Sequence, residues 1–382
     1  MNPLRILLVG DYPADPTLGS SKVYYKLQEE FLRLGHQCDV LLSPALGSWP
    51  RVSKLRWAVT PWIAAQVIGR VADRYDVIDV ASAEGGPLGL RRALTPEASY
   101  AIVSRSHGLE HLNYQRLLDD AAAGFLRKAW YQRWWHPLAR LSQVAMAARL
   151  ADRMIVLNDY DEDFVVARGW KPATAVDVVP HGVSARFLAD TPPADAPRGG
   201  GILFCGTWTD MKGVRYLAAA FSAVVAARPA SRLTVLGPGV PTEMVLSAFA
   251  PDVRPAVTVI PRTTEAGVMA LYRSHDFLVL PSSYEGFGMV VIEAMSQRLP
   301  VVATPQGSAR MLVRDGETGL RVPLRSVEGL TAAMLRLLDD PALGRRLAEQ
   351  AYPLAQSHTW TQTAERTLVV YERAIAQRRG RA

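Results

Sequence analysis

The chain has 382 residues, 49% of them hydrophobic, with a formal net charge of +7. That length favours two domains, each with a core of its own, and the modest positive charge does not by itself argue for nucleic acid. No run of eighteen apolar residues suggests a transmembrane helix, and Met1-Asn2-Pro3 leads straight into an apolar strand, which is read as no signal peptide.

Leu4–Val9 reads as a first strand, followed by a loop holding Gly10 and Gly19, a helix, the turn Gly35-His36, and a second strand at Cys38–Leu42. This is the opening of a β-α-β fold. No G-x-G-x-x-G follows the first strand, which counts against a dinucleotide-dependent dehydrogenase. Cys38 and Cys205 lie in apolar, strand-like surroundings without metal-ligand spacing, and read as reduced core residues of a cytosolic protein.

Trp49–Arg70 carries Arg51, Lys54, Arg56 and Arg70 with Trp49, Trp57 and Trp62, and contains no acidic residue. Ala121–Ala151 has the same character, with Arg127, Lys128, Arg133, Arg140 and Arg149 interleaved with Phe125, Trp130, Tyr131, Trp134 and Trp135. Two readings stand for both stretches. Either they are basic amphipathic helices that rest on an anionic bilayer through interfacial tryptophans, or the tryptophans pack on the N-terminal sheet beneath solvated arginines. Pro137 is expected to kink or break the second helix.

Between these stretches, Tyr100–Asn113 reads as a strand whose carboxyl end is polar, the edge at which open α/β sheets bind ligands. His107-Gly108 stands there, with Glu110 just after. Ala151–Asn158 is a further strand, and residues 190–201, DTPPADAPRGGG, read as an interdomain linker. The second half opens as strand, loop and helix, with Lys212-Gly213 six residues after Gly206; Arg262 follows the strand Val257–Ile260 on the same carboxyl edge.

Leu278–Arg298, LVLPSSYEGFGMVVIEAMSQR, is the stretch with the most chemistry. An apolar strand breaks at Pro281-Ser282-Ser283 and gives way to a helix, with Glu285 before the helix and Glu293 eight residues on. Gly286 and Gly288 let backbone approach a ligand closely, and the N–H groups of Phe287 to Val290 at a helix N-terminus suit a phosphate. At about 1.5 Å per residue the two carboxylates are roughly 10 Å apart along a helix, so they suit the two ends of one long ligand.

PSSYEGFGMVVIEAM, together with LPVVATPQGS and VRDGETGLRV, resembles the E-x7-E motif of retaining glycosyltransferases of the GT-B fold, the group 1 or family 4-like enzymes. The resemblance implies an α/β protein of two doubly wound, Rossmann-like domains facing across a cleft. Residues 1–189 would form the acceptor-side domain, 199–357 the nucleotide-sugar domain, and helix 358–377 would cross back onto the first. The activity implied is transfer of a sugar from a nucleotide diphosphate sugar to a glycan, lipid-linked or small-molecule hydroxyl acceptor, in cell-surface polysaccharide, glycolipid or glycoconjugate synthesis. No metal or other cofactor and no nucleic acid is implied. The expected location is cytoplasmic, peripheral on the inner face of an anionic membrane.

Carried over residue by residue, the resemblance assigns catalytic roles to His107, Lys212 and Glu285. His107 would reach the donor sugar from the opposite domain, Lys212 would bind the leaving diphosphate, and Glu285 with Gly286, Phe287, Gly288, Met289 and Val290 would hold the donor sugar. Glu293 would take the ribose, while Gly19, Gly206, Thr207 and Arg262 complete the donor-binding set. The chain departs from the family pattern in four places: Gly19-Ser20 replaces a glycine pair, Thr207 an arginine, Arg298 a glycine and Met311 a glutamate. A GT-B relative of another class, an epimerase or phosphorylase, and a catalytically weak sugar-nucleotide-binding protein stay open as alternatives at this level.

Overall fold

In the computed structural model, residues 3–16, 19–46, 53–95, 97–125 and 130–380 are described. The chain divides into two compact units, Met1–His181 with Trp360–Ala382, and Gly182–Thr359. Among the described residues no helix is long and apolar enough to cross a membrane.

The first unit alternates β1 (Arg5–Gly10), α1 (Gly19–Arg33), β2 (Gln37–Leu42), α2 (Ser53–Gly69), β3 (Val77–Ala81), α3 (Gly85–Ala93) and β4 (Ala101–Arg105). It continues with α4 (Glu110–Ala122), the short turn α5 (Trp130–Arg133), α6 (Ser142–Leu150), β5 (Arg153–Val156), α7 (Asp159–Ala167) and β6 (Val176–Val178). All pairings are parallel, in the order β2-β1-β3-β4-β5-β6. Parallel strands are covered on both faces, so they read as apolar runs: Ile6, Leu8, Val77, Ile78, Ile102 and Val103 are fully buried. β3 was not expected from the sequence, because Asp79 interrupts its apolar run; the carboxylate is fully buried all the same. Pro137 opens a wide helical turn, Pro137–Leu141, that joins α5 to α6, in agreement with the break expected there.

The second unit runs α8 (Ala185–Ala189), β7 (Ile202–Cys205), α9 (Val214–Ala227), β8 (Leu233–Leu236), α10 (Thr242–Leu246), β9 (Val257–Ile260), α11 (Glu265–Ser274) and β10 (Phe277–Leu280). There follow α12 (Met289–Ser296), β11 (Val301–Ala303), α13 (Ser308–Leu312), β12 (Leu320–Arg321), α14 (Val327–Asp339) and α15 (Pro341–Gln356). Its sheet is again parallel, in the order β12-β11-β10-β7-β8-β9. The strand order reverses beside β7 and β10, the place where a doubly wound sheet opens a ligand crevice. The last helix, α16 (Trp360–Arg379), packs in the first unit against α1 and β4.

Residues 182–189, expected to close the first domain, lie in the second unit. Phe187 is buried there beside Tyr272, and Gln297 Nε2 donates to the Phe187 carbonyl at 2.7 Å. The proline- and glycine-rich stretch expected as a linker is likewise docked. Arg198 donates to the carbonyls of Tyr272, His275, Gln297 and Arg298 at 2.7–3.0 Å, closing the carboxyl ends of α11 and α12.

Candidate functional site

In the second unit, the loops after β7 and β10 bring Lys212 and Glu285 together. Lys212 Nζ lies 2.8 Å and 2.6 Å from the two oxygens of Glu285, with side chains only 16% and 10% exposed. Ser282 Oγ donates to Glu285 Oε2 at 3.1 Å. The loop is locked from below: Gly213 has φ +70°, and a Cβ there would sit 2.0 Å from the Pro281 carbonyl, so only glycine lets the lysine turn seat against the β10 loop. Ser283 N donates to the Met211 carbonyl at 2.9 Å and joins the same two loops.

Gly288 caps α12 in the left-handed region, φ +80°, and a Cβ would fall 2.8 Å from Glu285 Cγ. The helix thus starts at Met289 and not two residues earlier. Phe287, expected among the donors, is buried, and its carbonyl accepts from Ser308 N at 2.5 Å. The first-turn N–H groups of Met289 and Val290 are those a helix leaves without an internal partner, and they supply the positive end of the α12 dipole beside Glu285. One helical face further on, Glu293 Oε2 accepts from the hydroxyl of the buried Tyr272 at 3.3 Å. Burial raises the Tyr272 phenol well above its usual range, so it stays a donor, and burial pushes the Cys205 thiol beside it up to about 12.

Gly206 ends β7 with φ +151°, and half-buried Thr207 follows it, placing a hydroxyl where the resembled family has a cation. Arg262 is exposed past β9, and no described bond joins it to Lys212 or Glu285. Among the described residues no group of three or more His, Cys, Asp or Glu side chains could hold a metal ion.

The first unit carries its own polar cluster. A cavity of about 180 Å³ at the carboxyl ends of β3 and β4 is lined by Tyr12, Ser82, Arg105, Ser106, His107 and Glu110, among others. Tyr24 OH lies 3.2 Å from the Val9 carbonyl and 3.0 Å from His107 Nε2. His107 Nδ1 is buried without a hydrogen-bond partner among the described residues. Burial, helped by the charge of Arg105, lowers the imidazole to about 3, so it is neutral at physiological pH. Arg105, fully buried, pairs with Asp79 at 2.6 Å, and Tyr371 OH on α16 donates to the same carboxylate at 2.6 Å.

Sequence reasoning missed Asp79, Ser82 and Glu84, and it left Arg140 open between a membrane face and a solvated arginine on a packed helix. Under neither reading was it paired, yet Arg140 donates to Glu84 at 2.7 Å and forks onto Glu110 at 2.9–3.2 Å. Arg56, of the other basic stretch, reaches Asp11 at 3.2 Å. Trp49, Arg51, Arg127 and Lys128 lie outside the described residues, as do the side chains of Lys54, Trp130 and Tyr131. Gly19 opens α1 and is exposed.

Residues 199–340 match the family model described as "Glycosyl transferases group 1". The D-inositol 3-phosphate glycosyltransferase of Kineococcus radiotolerans is 32% identical over 272 residues, which cover 63% of this chain and 62% of that relative. The match thus spans under two thirds of the relative's length. Sucrose-phosphate synthase from Thermosynechococcus elongatus superposes with a TM-score of 0.78 at 21% identity, covering 98% of this chain and 99% of that one. The Anabaena protein HepE in complex with UDP and glucose superposes with a TM-score of 0.67 at 16% identity, over 96% and 98% of the two chains.

Proposed function

We propose, for a chain of the GT-B fold whose residues 199–340 are a group 1 glycosyltransferase domain, that it moves a sugar from a nucleotide diphosphate sugar to a hydroxyl acceptor with retention of anomeric configuration. The observation that carries this reading is the Lys212–Glu285 pair beside the N-terminus of α12, a cation and an anion held 2.6 Å apart at the carboxyl edge of the sheet. Breaking the bond to a nucleotide diphosphate puts extra charge on the leaving group, and catalysis needs a preorganised positive end there. Lys212 and the Met289 and Val290 N–H groups provide it.

Glu285 takes hydroxyls of the donor sugar, Gly286 and Gly288 leave room for the ring, and Glu293, steadied by Tyr272, takes the ribose. Gly206 and Thr207 border the diphosphate, and Arg262 is a further cation for phosphate. The leaving group is a nucleoside diphosphate, a reading supported by the likeness in fold to HepE, which is described in complex with UDP and glucose. His107, a neutral imidazole, hydrogen-bonds a hydroxyl of the donor sugar. The acceptor proton leaves on the departing diphosphate, so no protein nucleophile and no cofactor is required.

The setting is a cytoplasmic surface facing an anionic membrane, serving polysaccharide or glycolipid synthesis. Support comes from Leu55, Val59 and Trp62, exposed at helical spacing on α2, and from Trp134 and Leu138, 69% and 70% exposed. The test is nucleoside diphosphate release from UDP-, GDP- and ADP-sugars. Release that rises on adding a hydroxyl acceptor supports transfer, and release that never depends on an acceptor rejects it.

A further inference from the structure

The second unit has a cavity at the edge of its sheet opposite to Lys212 and Glu285. Asp276 and Pro300, which immediately precede β10 and β11, line it together with Arg198 and the first half of α15. Glu285 lies beyond the other end of β10, past a strand of four residues at ~3.3 Å each. The cavity holds about 310 Å³, at the lower bound of the ~300–1,000 Å³ of small-molecule sites.

Its lining is of two kinds. Pro197, Pro300, Leu337 and Ala348 give apolar wall, while three cations, Arg198, Arg298 and Arg345, stand with three carboxylates, Asp195, Asp276 and Glu349. A ligand of a single charge therefore meets as many like charges as opposite ones.

One of these pairs is closed. Arg298 Nη1 donates to Glu349, and Arg298 Cζ lies 3.9 Å from the centroid of the Tyr352 ring. This arginine takes φ +53°, in the left-handed region, where the resembled family has glycine; the ion pair and the ring hold it there.

Arg198 and Asp276 are not closed in this way. Among the described residues no ion pair joins them to each other or to any other side chain. Arg198 Nη1 and Nη2 donate to main-chain carbonyls, and Asp276 Oδ2 accepts from Gly201 N at 3.0 Å. Arg198 Nε and Asp276 Oδ1 are left without a partner among the described residues, and neither is an occluded atom. Burial pushes the Arg198 guanidinium down to about 10 and the Asp276 carboxyl up, so each charge is short of an opposite one. Arg345 is exposed and has no ion-pair partner among the described residues. An anion would answer the arginines and repel Asp276; a cation would do the reverse.

We propose that this cavity is a second ligand site and that it takes a small zwitterion with an apolar body, its ammonium on Asp276 and its carboxylate on Arg198 and Arg345. A free amino acid has that chemistry. The site stands apart from the transferase reading and does not depend on it.

Titration calorimetry on the full chain compares L-leucine with 4-methylpentanoate and 3-methylbutylamine, which keep the apolar body and one charge each. A second series, 6-aminohexanoate with hexanoate and pentylamine, does the same with the charges farther apart. At least one zwitterion is expected to bind at least ~10-fold tighter than both of its single-charge analogues, the scale of one charged hydrogen bond, and to lie in the cavity in a crystal soak. Asp276→Asn should bring that zwitterion to within about two-fold of its anionic analogue, and Arg345→Gln, at an exposed position, should weaken it by at least about three-fold. Zwitterions that bind no tighter than their single-charge analogues, that bind outside the cavity, or that ignore both substitutions overturn the proposal. So does the absence of saturable binding by either zwitterion.

Discussion

Replacing Glu285 with glutamine should make the protein bind nucleoside diphosphate more tightly while it turns over more slowly. In the structure Lys212 is not waiting for a phosphate; both Glu285 oxygens lie within 2.8 Å of its ammonium. A diphosphate arriving on the other side of that ammonium stands ~7 Å from the carboxylate, where two unit charges repel by about 2 kcal/mol at an effective dielectric of ~20. The pair is 16% and 10% exposed, so salt screens it less than a surface pair. Glu285→Gln removes the repulsion and keeps the side-chain shape, and titration calorimetry with the matching nucleoside diphosphate should show roughly 10–30-fold tighter binding. Lys212→Ala should weaken binding by about 1.5–3 kcal/mol, the value of a charged hydrogen bond, and the double variant should fall between. Unchanged or weaker binding to Glu285→Gln would refute the idea that this carboxylate opposes the diphosphate.

Lys212→Ala should also cost at least a hundredfold in turnover, whereas activity should survive EDTA and Thr207→Arg should be tolerated or tighten nucleotide binding; activity lost in EDTA and restored by magnesium would transfer the cation's role to a metal. His107 and His111 are held neutral, at about 3 and about 4, chiefly by burial, while an unfolded histidine titrates near 6.5. The unfolded chain therefore takes up protons first as pH falls, and stability, complete above about pH 6.5, should drop by about 1.4 kcal/mol per histidine per pH unit below it. Denaturant titrations at pH 7.5 and 5.5 check this, with His107→Gln removing its share; equal stability at the two pH values would contradict it. The chain should co-sediment with anionic vesicles at low salt, and exchanging Trp62 and Trp134 for alanine together should reduce pelleting severalfold. Pelleting that ignores salt or these tryptophans would leave the exposed rings without that role.

Strand and helix alternation was legible because parallel strands are apolar throughout and helices carry a 3.6-residue period. β9 falls at Val257–Ile260 as expected, and β1 and β2 within one residue of expectation. The second-unit loops were legible too, since glycines at Gly213 and Gly288 mark places where backbone runs against backbone or against the Glu285 side chain. What could not be read was pairing across distance. Nothing local to Arg140 shows that Glu84 and Glu110, 56 and 30 residues away, consume its charge, and for that reason a basic stretch without acids stayed open between a membrane face and solvated arginines. β3 was hidden by Asp79, whose partners Arg105 and Tyr371 come from β4 and from the far end of the chain. The one-residue-scale start of α12 depended on the left-handed Gly288, a conformation glycine permits without announcing.

The central claim, transfer with retention at the Lys212–Glu285 site, is tested most directly by the stereochemistry of the first product. Proton magnetic resonance on a reaction with an α-configured nucleotide sugar and a hydroxyl acceptor should show an α-linked product from the unaltered chain and none above background from Glu285→Gln, although that variant binds nucleoside diphosphate. A β-linked product, or an α-linked product formed equally well by Glu285→Gln, would contradict it.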